Sequence, residues 1–293
     1  MKRFFLCILM VALMLICSCQ APLPEETETT TPAPQGNGEC VHVLSEATCT
    51  MPARCTLCKR PFGSSLGHDW QNGACTVCGI ADSMSQKTEG ILRVACIGDS
   101  ITKGGYWQNW FGGRLDADKY EVIGFGVNGS TGLAAGFDGN YVPLGYVSTE
   151  EYKLSLRRNP DIVVIMLGTN DSKAMNADRI RADGGAQYKE DMIALIDSYR
   201  ALSASPTVFL ALPATVYRDP GTGVGINDPA LTEVILPLLR EVAAQTGAIL
   251  IDVHTATADH SELFPDGVHP NAEGKDLIAQ TVANAILEHA NQS

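Results

Sequence analysis

Five runs of aliphatic and β-branched residues, each about one strand long, recur at 92–97, 120–125, 161–167, 207–212 and 248–253. Runs that are apolar at nearly every position belong to strands covered on both faces, and such strands occupy parallel sheets. Helical patterns at 187–202, 229–245 and 271–288 lie between and after them, several opened by Asp, Asn or Pro and closed near Gly. This alternation predicts an α/β fold: a three-layer αβα sandwich around a five-stranded parallel sheet, joined by right-handed crossovers. In such sheets, residues that do chemistry gather at the carboxyl ends of the strands.

The chain before residue 90 follows other rules. Lys2 and Arg3 precede an apolar run, 4–16, broken only by Cys7. Thirteen residues are short for a membrane-spanning helix, which needs roughly 20, so residues 1–18 are expected to be an export signal. Ile16-Cys17-Ser18-Cys19 is similar to the lipobox of bacterial lipoproteins. That resemblance implies cleavage before Cys19 and lipid on its thiol, whereas Cys17 follows a bulky Ile. An ordinary secretory peptide cut near Ala21 is the alternative. Both readings export the protein, and the first anchors it by lipid outside the bacterial cell membrane, at the surface or in the periplasm. Residues 19–38 are Pro, Thr, Glu and Gly with almost nothing apolar, as expected of a flexible tether.

Residues 39–82 hold six of the ten cysteines, and their spacing repeats. His42 stands seven before Cys49 and His68 seven before Cys75, while Cys55-Thr-Leu-Cys58 recurs as Cys75-Thr-Val-Cys78. Sixteen residues separate the two CxxC pairs, a spacing used by ribbon-type zinc sites. The expectation is one structural zinc held by Cys55, Cys58, Cys75 and Cys78, with a disulfide framework as the alternative in an exported protein. A saturated ligand set would leave no position for substrate, so catalysis is not expected there.

From residue 90 to 293 the chain reads as one domain, with ample apolar material for a core that needs no metal: hydrophobic residues are 45% of the whole and charged ones 18%. A net charge of -12 argues against nucleic acid or an anionic membrane surface as partner, because phosphates reward clustered Lys and Arg. The polar motifs fall just beyond the strands. Gly98-Asp99-Ser100 follows the first, Gly126-Val127-Asn128-Gly129 the second, and Gly168-Thr169-Asn170-Asp171 the third. A serine on a tight strand-to-loop turn is lifted out of the sheet with its N–H exposed, as a nucleophilic hydroxyl requires. Asp266-Gly267-Val268-His269-Pro270 puts a carboxylate three residues before an imidazole, close enough to orient it and fix its tautomer.

Together these motifs resemble the SGNH hydrolase superfamily, with its Ser, Gly, Asn and His blocks in order as Ser100, Gly129, Asn170 and His269. Ile101 stands where the GDSL name has leucine. The resemblance covers roughly residues 91–290 and implies a flavodoxin-like sheet and a serine esterase needing no cofactor for catalysis. It also implies roles. Ser100 is the nucleophile, His269 the base and then acid, and Asp266 its orienting partner. The oxyanion hole would be the N–H groups of Ser100 and Gly129 with the Asn170 amide. Residues 160–173 and 263–271 are further similar to the sialate O-acetylesterase and carbohydrate-esterase branch, which implies short-chain, foremost acetyl, esters on carbohydrates. The alternatives are a lipase or lysophospholipase, and a non-catalytic glycan-binding surface lipoprotein. Trp107, Trp110, Tyr141 and Tyr146 are expected near the cleft mouth or in the core. His254 and His260 are expected to be loop residues, Cys96 a core residue and His289 a surface one. Neither the glycan nor the oligomeric state follows from the sequence.

Overall fold

All five apolar runs form strands, and they pair as one parallel sheet. The protein was analysed as a computed structural model describing residues 41–103, 106–138, 140–218, 225–226 and 228–292. The expected export signal, the lipid-bearing Cys19 and the tether lie outside the described residues.

Two short antiparallel pairs come first: β1 (Ala53–Arg54) with β2 (Pro61–Phe62), and β3 (Trp70–Gln71) with β4 (Ala74–Cys75). The larger unit follows as β5 (Leu92–Gly98), α1 (Tyr106–Gly112), β6 (Tyr120–Gly126), α2 (Glu150–Arg157), β7 (Ile162–Met166), α3 (Ala174–Ala182), α4 (Ala186–Arg200) and β8 (Thr207–Ala211). It ends with α5 (Asp228–Ala230), α6 (Leu236–Thr246), β9 (Ile249–Ile251), α7 (Val253–Thr257) and α8 (Ala272–Ala290). The sheet order is β6-β5-β7-β8-β9, every neighbouring pair parallel. The chain leaves β5 to one side for β6 and then crosses to the other for β7. This reversal opens a crevice at the carboxyl ends of these three strands, the usual place for a site in an open α/β sheet.

Period-two alternation sorts the strand residues onto two faces. Ala95, Ile97, Val163, Ile165, Val208 and Leu210 face one way and pack with Tyr188, Leu195 and Tyr199 of α4 and Leu239 and Val242 of α6. Val94, Cys96, Val164, Met166 and Phe209 face the other way and meet Trp107 and Phe111 of α1 and Ile278, Val282 and Ile286 of α8. Both layers are therefore dry. Each large apolar side chain so buried contributes roughly 1.5–3 kcal/mol. Cys96 is a core residue as expected, and burial pushes its thiol far above the ordinary range. His289 is not purely a surface residue: it is half-buried, with its ring edge-on to Phe209.

The helix expected over 229–245 is interrupted. The chain passes from α5 through a π-helical turn, Leu231–Ile235, into α6. Pro237 has no N–H to donate to the Glu233 carbonyl, and the Leu236 N–H bonds instead to the Leu231 carbonyl five residues back. Helix α1, short and aromatic, carries none of the usual start signals and is absent from the sequence-based expectations.

The Cys/His segment leans on the larger unit through charge. Arg157 grips Asp82 with two hydrogen bonds of 2.9 Å, and its guanidinium stands 4.8 Å from the Trp70 ring centroid. The Arg157 guanidinium holds the Asp82 carboxyl below the usual carboxylate range, against an opposing effect of burial.

Candidate active site

Strand β5 ends at Gly98, where the chain turns within van der Waals distance of its neighbours. A Cβ at Gly98 would collide with Thr102 Oγ1 and the Met166 carbonyl oxygen, so a side chain is excluded. The turn is closed from inside. Asp99 Oδ1 accepts the Ile101 N–H at 2.9 Å, and the Asp99 carbonyl accepts the N–H groups of Thr102 at 3.1 Å and Lys103 at 2.9 Å. Ser100 is left at the crest.

Ser100 Oγ lies 2.9 Å from His269 Nε2, and His269 Nδ1 lies 2.7 Å from Asp266 Oδ2. The other carboxylate oxygen of Asp266 accepts the backbone N–H groups of His269 at 2.7 Å and Val268 at 2.9 Å. Burial alone would raise the Asp266 pKa, but the hydrogen bonds from the His269 backbone and ring and from Val268 outweigh it and hold the carboxyl at about 2. An ionised carboxylate only accepts, so Nδ1 carries the proton and the Nε2 lone pair faces the serine hydroxyl. The Ser, Asp and His expected from the sequence thus meet in a hydrogen-bonded row.

Gly129 follows β6 at φ +79°, a backbone conformation side chains resist. Among the described residues, neither the Ser100 N–H nor the Gly129 N–H finds an acceptor, and both residues line one pocket with His269. Asn170, after β7, lines the same pocket, but its amide is engaged: Nδ2 donates to the Ser130 carbonyl at 3.1 Å and to Asp99 Oδ2 at 3.3 Å. The longer bond is the one a bound anion could displace.

The loops that carry these groups are tied together from beneath. Asp171 accepts the N–H groups of Gly132 and Leu133, each at 2.9 Å, pinning the loop after β6 to the one after β7. Asn176 receives the Phe137 N–H at 2.9 Å and donates at 2.9 Å to the carbonyls of Phe137 and Asn170. Asp99 and Asp171 are wholly buried, and burial pushes each up to about 6. Lys173 is buried, and desolvation lowers its pKa against the opposing pull of Asp138, Asp99 and Asp171.

The pocket encloses about 460 Å³ and adds Asn128, Lys173, Arg218, Ile226 and Asp266 to these donors. A recess of about 240 Å³ on the other side of Ser100 is lined by Ile101, His269, Pro270 and Lys275. Lys173 and Arg218 are missing from the sequence-based reading. Lys173 ends the 160–173 motif and was visible there; Arg218 comes from a loop after β8 that carries no motif. Of the aromatic candidates, Trp107 and Tyr146 are core residues, and the Tyr146 hydroxyl donates to the Phe125 carbonyl at 2.7 Å. Tyr141 is exposed, and the side chain of Trp110 lies outside the described residues. His254 lies within α7 rather than in a loop, 3.3 Å from the Pro213 carbonyl, and His260 lies 3.2 Å from Glu262; among the described residues neither belongs to a ligand cluster.

The expected single metal site is corrected. Cys55, Cys58, Cys75 and Cys78 do not form one set: Cys55 and Cys58 sit with His42, whereas Cys75 and Cys78 sit with His68 and Cys49. Each CxxC turn is closed within its own hairpin, by Cys55 N–H to the Arg60 carbonyl and Cys75 N–H to the Ile80 carbonyl, both at 2.9 Å. Each histidine is held beside its own hairpin by an aromatic neighbour, His42 on Phe62 and His68 on Trp70. Spacing picked out the four CxxC cysteines, but it left His42, Cys49 and His68 out of the ligand set and could not show how the ligands divide.

Residues 96–277 match the model of the GDSL-like Lipase/Acylhydrolase family. An acetylxylan esterase of Xylanibacter ruminicola is 32% identical over 231 residues, which span 70% of this chain and 45% of that protein. The chain therefore spans less than half the length of this curated relative. Among solved structures, an aryl esterase of M. smegmatis matches with a TM-score of 0.54 at 22% identity, covering 67% of this chain and 99% of that one. A carbohydrate acetylesterase of Sinorhizobium meliloti matches with a TM-score of 0.52 at 21% identity, covering 68% and 99%. At such identities the structural likeness concerns the fold.

Proposed function

The chain belongs to the GDSL-like lipase/acylhydrolase family, and from that membership we propose that it is a serine esterase releasing short acyl groups, acetyl foremost, from carbohydrate. The observation that carries the reading is the hydrogen-bonded row from Ser100 through His269 to Asp266.

In this reading His269 Nε2 takes the Ser100 proton as Oγ attacks the ester carbonyl, and Asp266 stabilises the imidazolium that forms. The N–H groups of Ser100 and Gly129 receive the developing oxyanion, joined by the Asn170 amide once it leaves Asp99. Collapse of the tetrahedral intermediate breaks the bond to the sugar oxygen, which leaves with the proton from His269. The acyl group stays on Ser100. Water then repeats the sequence, with His269 again as base, and releases the acid.

The substrate class rests on the shape and lining of the site. The side chains of His269 and Asp266 remain 49% and 48% exposed, which suits a reacting bond on a bulky polymer better than one at the bottom of a tunnel. Ile226 is the one large aliphatic side chain among the described residues of the main pocket, so a fatty chain would find little apolar surface there. The likeness to an acetylxylan esterase points the same way. Acetate release from an acetylated glycan, compared with hydrolysis of a long-chain ester, tests it. Preference for the glycan is expected, and preference for the long chain would end the carbohydrate proposal while leaving the nucleophile in place.

The reading of residues 1–38 as export signal, lipid-bearing Cys19 and tether is also part of the proposal and rests on sequence alone. It would place the enzyme outside the cell membrane, where polymeric glycans are met.

A further inference from the structure

Residues 41–80 have almost nothing apolar with which to hold a fold. Their four strands are two residues each, and Cys49, Cys55 and Cys75 are the only buried side chains among them. Val41, Val43, Met51, Leu57, Leu66 and Val77 are each more than half exposed. A segment of this length without a core requires another source of stability, and the buried groups are all thiols.

The separations between sulfur and nitrogen atoms say what the thiols surround. Cys49 Sγ and Cys75 Sγ stand 3.7 Å apart. Two sulfurs bound to one tetrahedral zinc by bonds of about 2.3 Å stand about 3.8 Å apart. Cys78 Sγ lies 3.5 Å from His68 Nδ1, and Cys58 Sγ lies 3.5 Å from His42 Nδ1. The same tetrahedron, with a zinc–nitrogen bond of about 2.0–2.1 Å, predicts a sulfur–nitrogen edge of about 3.5 Å. In each cluster the ligand atoms lie within 4.8 Å of one another. The Cys58 N–H also approaches Cys55 Sγ at 3.4 Å, an outer-shell contact of the kind that supports a metal-bound thiolate.

We propose that this segment holds two zinc ions, one bound by Cys49, His68, Cys75 and Cys78 and the other by His42, Cys55 and Cys58. Thiolates with a single imidazole favour zinc over harder divalent ions. The first set is complete and structural, with no position left for substrate. The second offers three ligands among the described residues. The two sets interleave, because Cys49 of the first lies between His42 and Cys55 of the second. The ions therefore brace each other's loops. His68 stacks on Trp70, which lies under Arg157, so the complete site also steadies the surface that meets the esterase unit.

The test is metal stoichiometry of the full chain purified without chelator, read by native mass spectrometry and elemental analysis. Two zinc ions per chain are expected. The paired substitution Cys49→Ser with Cys78→Ser should leave one, and Cys55→Ser with Cys58→Ser should also leave one. A single ion per chain, lost in either pair, would mean that the four CxxC cysteines share it and would overturn the proposal. Metal-free protein lighter by two hydrogens per cysteine pair would overturn it in favour of disulfides. If the variants do not fold, cobalt(II) titration of the metal-stripped wild-type chain decides. Thiolate charge-transfer absorbance should rise to two equivalents, and a break at one would refute the second site. Ester hydrolysis is read separately, so neither proposal depends on the outcome of the other.

Discussion

Asp99 and Asp171 sit under the site with their charge held in a dry place, and this has a sign. Burial raises both to about 6, above the value of about 3.9 that an unfolded chain gives an aspartate. A raised carboxyl binds its proton more tightly when folded, so its contribution to stability is complete below pH ~4 and is lost as pH rises to about 6. Melting temperature measured from pH 4 to 7 in wild type and Asp99→Asn should differ in slope, the wild type losing more on the way up. Parallel curves would contradict the assignment. The site residues legible in the sequence share one property: each sits in its own short motif. Ser100, Gly129 and Asn170 do so beside a strand end, and the Asp266–His269 pair makes its own motif just ahead of α8. Arg218 reaches the pocket by tertiary approach alone, and the division of five cysteines between His42 and His68 is likewise a fact of folding. Spacing is silent on both.

Elements were legible where a pattern repeats and obscure where it does not. The run at 161–167 yields a strand at Ile162–Met166, its ends set by the pairing with β5, which runs from Ile162 to Met166. The break before α6 was hidden because the helical pattern at 229–245 runs straight through Pro237, which removes a donor. The start of α8 was legible from one residue: Asn271 Oδ1 caps the helix by accepting the Gly274 N–H at 2.9 Å. Replacing it with Ala should cost ~1 kcal/mol, lowering the melting temperature by roughly 2–4 °C in a domain of this size. An unchanged thermal denaturation curve would show that the cap contributes nothing. Because Asn271 lies two residues after His269, the same cap fixes where the loop carrying the imidazole must end.

On the scale of the molecule, the parallel sheet positions the crevice of the proposed esterase, and the Cys/His segment is joined to it through Arg157. The proposed lipid anchor implies that labelled palmitate enters the protein in a bacterial host and is lost in Cys19→Ser, and equal labelling of the two would remove it. None of this matters to function unless Ser100 is a nucleophile. The most direct measurement is the intact mass of the protein after exposure to a serine-directed fluorophosphonate, with hydrolysis followed in parallel. One adduct per chain at Ser100 is predicted, with loss of activity in step. Ser100→Ala should be unlabelled and slower by several orders of magnitude. An unmodified wild-type chain, or a Ser100→Ala variant that keeps its esterase rate, would contradict the account.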